Sequence, residues 1–171
     1  MPANKLDSAA PDKIADTVTV IAEAEHTTPA QPQARSRAAP RTLLYVEDNP
    51  ANLRLVEQII IARRPDMRLL SAKNGILGIE LARASQPDVI LMDINLPGMS
   101  GIKAMQILRA ETATAHIPVV ALSANALPRD IERGLQAGFF RYLTKPIKVN
   151  EFLDTLDVAL EFAEKEVSQS R

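Results

Sequence analysis

Five side chains in this sequence have the chemistry to act on a phosphate-like anion: Glu47, Asp48, Asp93, Ser123 and Lys145. Three carboxylates close together repel one another and resist joint ionisation unless a cation joins them. A hard divalent ion with oxygen ligands meets that need, and Mg²⁺ binds through one or two carboxylates plus phosphate oxygens and waters. The Lys145 ammonium adds a second positive charge. A pocket of this composition is suited to holding a phosphoryl group beside a metal ion. A carboxylate can also be the nucleophile in such a transfer, giving an aspartyl phosphate, and there the protein contributes mainly positioning and charge neutralisation. Asp93 is the best candidate because it ends the most apolar segment, DVILMDI, and is followed by NLPGM, where Pro97-Gly98 supports a tight turn.

These residues can meet only if the chain brings them to one edge, and the hydrophobic pattern provides for that. TLLYVE, MRLLSA, DVILMDI, IPVVALSA and FFRYLTK are short β-rich apolar runs. Between and after them lie helical patterns: NPANLRLVEQIIIARR, with Leu53, Val56, Ile59 and Ile60 on one face, NGILGIELARASQ, SGIKAMQILRAE, ALPRDIERGLQAG ending at Gly138, and VNEFLDTLDVALEFAEKE, with Phe152, Leu153, Leu156 and Leu160 on one side. Such alternation implies parallel strands joined by right-handed helical crossovers, hence a three-layer α/β sandwich. In open parallel sheets the site lies beyond the carboxyl ends of the strands. Glu47-Asp48, Asp93, Ser123 and Lys145 stand at the ends of the first, third, fourth and fifth runs.

Composition narrows the function classes. The 20 Lys+Arg against 21 Asp+Glu give no electrostatic case for nucleic acid. The absence of cysteine excludes disulfides, thiolate catalysis and Cys-ligated metals. His26 and His116 lie in unrelated contexts and define no metal site; His116 is placed on a surface loop. No apolar run reaches the ~18–20 residues of a membrane span, and the N-terminus lacks the apolar core of a signal peptide. These features predict a cytoplasmic protein. Residues 1–40 hold 5 of the 12 prolines and no aromatic residue. They read as a flexible Ala/Pro-rich leader. Within 12–25, Ile14, Val18 and Ile21 share one helical face, which reads either as a transient helix of no consequence or as a docking or dimerising helix. The predicted division is a leader over 1–40, one domain over 41–166 and a polar tail over 167–171.

The pieces YVEDNPANLRLVEQII, DVILMDINLPGMSG, IPVVALSAN and GFFRYLTKPI, in this order and at these strand ends, resemble the receiver domain of two-component response regulators over about residues 41–165. The motifs are closest to those of single-domain receivers and receivers of hybrid histidine kinases. The resemblance implies a flavodoxin-like (βα)5 sandwich with sheet order 2-1-3-4-5. It implies that Asp93 is the phosphoacceptor and that Mg²⁺, or Mn²⁺ in its place, is held by Glu47, Asp48, Asp93 and the backbone carbonyl of Asn95, with Glu47 acting partly through water. Ser123 would hydrogen-bond a phosphoryl oxygen, Lys145 would pair with the phosphoryl group, and Tyr142 would be the aromatic switch that turns inward on activation. Asn95 and Asn125 neighbour the site and would tune the phosphoryl lifetime. A cis Lys145–Pro146 bond is also implied.

The implied partners are a histidine kinase or histidine phosphotransfer domain upstream and a protein target downstream. The implied states are a monomer or weak homodimer, with no nucleic acid and no membrane insertion. The chain would be a signalling switch rather than an enzyme, catalysing only its own phosphorylation and dephosphorylation, with no output domain after the last helix. It fits either a stand-alone receiver or the receiver of a hybrid kinase.

Blander readings exist residue by residue. Glu47-Asp48 reads as an acidic turn or cap, Ser123 as the cap of a helix starting near Ala126, Lys145 as a solvated lysine, and Tyr142 as plain core. Met92, Met99 and Met105 read as packing. Two other functions compete with this one. An aspartyl-nucleophile phosphatase would want a second Asp two residues after the nucleophile, where this chain has Asn95. A phosphorylation-independent interaction module on the same fold usually lacks one of the five residues, and this chain keeps all of them.

Overall fold

The computed structural model describes residues 39–125 and 127–169. The leader and its candidate helix over 12–25 lie outside the described residues, as does Ala126. Five strands, β1 (Thr42–Val46), β2 (Arg68–Ala72), β3 (Val89–Asp93), β4 (Val119–Ser123) and β5 (Arg141–Thr144), alternate with five helices, α1 (Pro50–Arg63), α2 (Gly75–Ser85), α3 (Gly101–Ala110), α4 (Pro128–Ala137) and α5 (Val149–Gln169). The sheet order is β2-β1-β3-β4-β5, with every pairing parallel. This is the predicted flavodoxin-like arrangement.

The inner strands β1, β3 and β4 are buried on both faces, their side chains alternating between the two helical layers. Leu44, Val46, Ile90 and Met92 point to one side and pack with Ile79 and Ala82 of α2 and Ala104, Met105 and Leu108 of α3. Leu43, Tyr45, Val89 and Leu91 point to the other and pack with Val56, Ile59 and Ile60 of α1 and Phe152, Leu153 and Leu156 of α5. All five residues of β3 are buried, as expected of the central strand.

The chain turns from strand to helix on side-chain caps. Asn49 accepts from the Ala51 amide at the start of α1, Asn74 from the Leu77 amide at α2, and Ser100 from the Lys103 amide at α3. Helix α4 differs: Leu127 precedes it with no side-chain cap, and Pro128 opens it. Helix α4 opens at Pro128, close to the expected start near Ala126, because proline's fixed φ suits the first helical position. One boundary departs from expectation. Helix α5 continues through Gln169 into the residues assigned to a polar tail. Nothing there breaks a helix, and the Ser168 hydroxyl donates to the Glu164 carbonyl one turn back at 2.9 Å. Among the described residues, no helix is long and apolar enough to cross a membrane.

Candidate functional site

The ends of β1, β3 and β5 converge at the edge where the sheet order doubles back. Carboxylate oxygens of Glu47, Asp48 and Asp93 lie within 4.8 Å of one another. Lys145 reaches into this group: its Nζ lies 2.6 Å from Asp93 Oδ2 and 3.0 Å from Glu47 Oε2. Its side chain is 24% exposed, against 4% for Asp93 and 1% for Glu47, so it is not a solvated lysine. Three carboxylates against one ammonium leave two formal negative charges, the complement of a divalent cation. Asp48 is exposed, with its carboxylate open on the side facing water. An all-oxygen donor set of this charge fits Mg²⁺.

Each group is held by its neighbours. Asp93 Oδ1 accepts the Asn95 amide at 2.8 Å, which ties the nucleophile candidate to the loop after β3. That loop returns tightly: the Gly101 amide donates to the Ile94 carbonyl, and a Cβ on Gly101 would sit 2.3 Å from the Asp93 carbonyl oxygen. Glycine at position 101 therefore sets how closely α3 can approach Asp93.

Glu47 is fully buried and accepts four hydrogen bonds. The Asn49 amide donates to Oε1 at 3.0 Å; Tyr45 Oη, Asn52 Nδ2 and Lys145 Nζ donate to Oε2 at 2.9, 3.1 and 3.0 Å. Burial drives this carboxyl toward neutrality. The Asn49 amide, Lys145, Tyr45 and Asn52 outweigh burial and hold its pKa below the usual carboxylate range. Burial likewise works against the Lys145 ammonium, and its bonds to Asp93 and Glu47 prevail, so its pKa lies above normal. Burial, then the Glu47 charge, pushes the Tyr45 phenol up, so Tyr45 stays a donor.

On the other flank, Ser123 Oγ accepts the Asn125 amide at 3.1 Å and so caps a turn at the end of β4 rather than α4. The Asn125 carbonyl in turn accepts the Tyr142 hydroxyl at 3.1 Å. Tyr142 is half-buried, not core, and its ring lies against Gly134 of α4, where a Cβ would meet ring carbons at 3.0 Å. A cavity of about 170 Å³ opens between Asn95, Ser123, Asn125 and Tyr142. The Lys145–Pro146 bond is cis. His116 is exposed in a turn, and Met92 and Met105 are core.

All the candidates named from sequence thus border one pocket or the cavity beside it. Sequence reasoning passed over Tyr45 and Asn52. The signal for Tyr45 was a phenol two residues before Glu47, a spacing that puts both on one side of an extended chain.

A doubly wound parallel sheet whose strand ends collect three acids and a lysine at the switch point defines a receiver of the two-component type. The chain belongs to the response regulator receiver domain family, whose model matches residues 43–157. It is similar to the polar-differentiation response regulator DivK of Brucella anthropi, at 38% identity over 117 residues spanning 68% of this chain and 94% of that protein. Among solved structures it is similar to the receiver domain of the sensor histidine kinase PA1611 of Pseudomonas aeruginosa, which has a magnesium ion coordinated in its active-site cleft. There the identity is 36% and the TM-score 0.65, covering 72% of this chain and 99% of that one. The chemotaxis response regulator CheY4 of Vibrio cholerae shares the fold, with a TM-score of 0.65 at 23% identity over 70% of this chain and 98% of that one.

Proposed function

We propose that this receiver takes a phosphoryl group from a phosphohistidine onto Asp93 and answers by reshaping the face formed by α4, β5 and α5. The observation that carries the proposal is the convergence of Glu47, Asp48, Asp93 and Lys145 within hydrogen-bonding or metal-bridging distance.

A partner histidine kinase or histidine phosphotransfer domain presents the donor. A carboxylate oxygen of Asp93 attacks phosphorus in line; the new P–O bond forms as the P–N bond breaks, and the histidine leaves. Asp93 Oδ1 stays oriented by the Asn95 amide during the attack. Lys145, now paired with Oδ2, moves its ion pair to a phosphoryl oxygen as the carboxylate becomes an acyl phosphate. Asp48, Asp93 and the Asn95 carbonyl, with Glu47 through water, would hold Mg²⁺ or Mn²⁺, which supplies neutralisation of phosphoryl charge. The same pocket later admits water to the acyl phosphate and resets Asp93, with Asn95 and Asn125 beside it setting the lifetime.

Ser123 is at present an acceptor, so its hydroxyl hydrogen is available for a phosphoryl oxygen. A pull on Ser123 draws on Asn125, whose carbonyl holds Tyr142, and the neighbouring cavity offers the ring somewhere to go. Tyr142 also borders a groove of about 800 Å³ between α4 and α5, with Ile131, Leu135, Phe140 and Val158. Its shape is what a downstream protein target would read. On this reading the chain is a cytoplasmic switch, monomeric or weakly dimeric, that turns over no free metabolite.

Mixing the chain with Mg²⁺ and phosphoramidate tests this. Intact mass should rise by one phosphoryl group, and both chelation of Mg²⁺ and Asp93→Asn should abolish the gain. Steady phosphate release from many substrates would point to a phosphatase instead, and no reaction at all to an interaction module.

A further inference from the structure

Tyr45 is the bulkiest fully buried side chain of the core, yet its hydroxyl does not end among apolar atoms. It donates to Glu47 Oε2, the atom that also receives Asn52 and Lys145. A carboxylate offers about four lone-pair sites. With the Asn49 amide on Oε1, four donors already occupy Glu47, and three of them converge on a single oxygen. A plain core position would be served as well by phenylalanine. A metal-binding carboxylate left to itself would need no such enclosure.

We propose that Tyr45 and Asn52 are positioning residues for the cation of the phosphoacceptor pocket. They clamp Glu47 by Oε2 so that its charge is fixed beside Asp48 and Asp93, and Oε1, which takes the Asn49 amide alone, is the oxygen with room for a metal-bound water. The inference rests on the Mg²⁺ reading of the pocket and adds the means by which the chain holds its most buried acid. Tyr45 approaches from the α1–α5 side of the sheet and Asn52 from the first turn of α1. The clamp therefore joins the core to the pocket through three elements: β1, α1 and, by Lys145, the segment after β5. Groups that orient a metal's carboxylate are worth about 10–100-fold in metal affinity. Losing one of three donors on Oε2 falls at the lower end of that range.

Tyr45→Phe in the full chain is the test, because it removes one oxygen and keeps the ring. Calorimetric titration with MgCl₂ and no phosphodonor should show half-saturation raised about tenfold. Uptake from phosphoramidate should need the same extra Mg²⁺, while its rate at saturating Mg²⁺ stays within about threefold of wild type. A tyrosine that merely packs would leave half-saturation where it was. Tyr45→Phe with wild-type half-saturation, or with a lowered saturated rate and no change in half-saturation, overturns the proposal. If Tyr45→Phe does not fold, Asn52→Ala, at a half-buried position, decides by the same criterion. Failure of the pocket reading looks different: wild type itself would then bind no Mg²⁺.

Discussion

Lys145 does the work of two partners. It sits between the buried carboxylates of Glu47 and Asp93 and donates to both, at 3.0 and 2.6 Å. Removing one member of a buried, hydrogen-bonded charge group is far more costly than removing a surface lysine. Lys145→Ala should therefore destabilise the fold by about 3 kcal/mol in urea without divalent ions. Saturating Mg²⁺ should restore much of that, since a ligand at a hundred times its Kd stabilises by roughly 2.7 kcal/mol. A loss under about 0.5 kcal/mol would mark Lys145 as an ordinary surface residue. At this scale the sequence was legible wherever a polar residue closes an apolar run: Glu47, Asp93, Ser123 and Lys145 announce themselves by interrupting a strand. Tyr45 does not, because a tyrosine within β1 satisfies strand patterning, and only the position of its hydroxyl, 2.9 Å from Glu47, reveals the bond.

The elements position the site through their close approaches. Helix α3 meets the end of β3 at Gly101, with no room for a methyl group beside the Asp93 carbonyl. Gly→Ala in an open helix interior gains up to about 1 kcal/mol; here overpacking should reverse the sign. Gly101→Ala is expected to cost about 1–3 kcal/mol in urea denaturation and to slow phosphoryl uptake by moving Asp93. Stabilisation with unchanged uptake would mean that α3 does not set the nucleophile's place. The strands and the helix faces could be read from run length and periodicity, since β3 is buried throughout and α1 presents Val56, Ile59 and Ile60 together. The end of α5 could not, because after Glu166 no glycine, proline or asparagine marks a stop.

Across the described molecule, packing is uneven in a way that suits a switch. Helix α4 buries only Gly134 of its ten residues, whereas α5 buries five and β3 is buried along its length. The least anchored helix is thus the one whose Gly134 touches Tyr142 and whose Ile131 and Leu135 line the groove toward α5. Phosphorylation in the presence of Mg²⁺ should shift backbone amide resonances across α4 and β5 and leave β2 and the second half of α1 near their starting positions. Changes confined to the loops around Asp93 would mean that the signal stops at the pocket. Both the switch and the pocket depend on strand ends from separate parts of the chain acting on one carboxylate. The most direct measurement is to reduce the freshly phosphorylated chain with borohydride, which converts an aspartyl phosphate to homoserine, and to map the product by peptide mass spectrometry. Homoserine in place of Asp93, formed only with Mg²⁺ present, is the predicted result. The label at Glu47, Asp48 or any residue outside the pocket, with Asp93 intact, would contradict it.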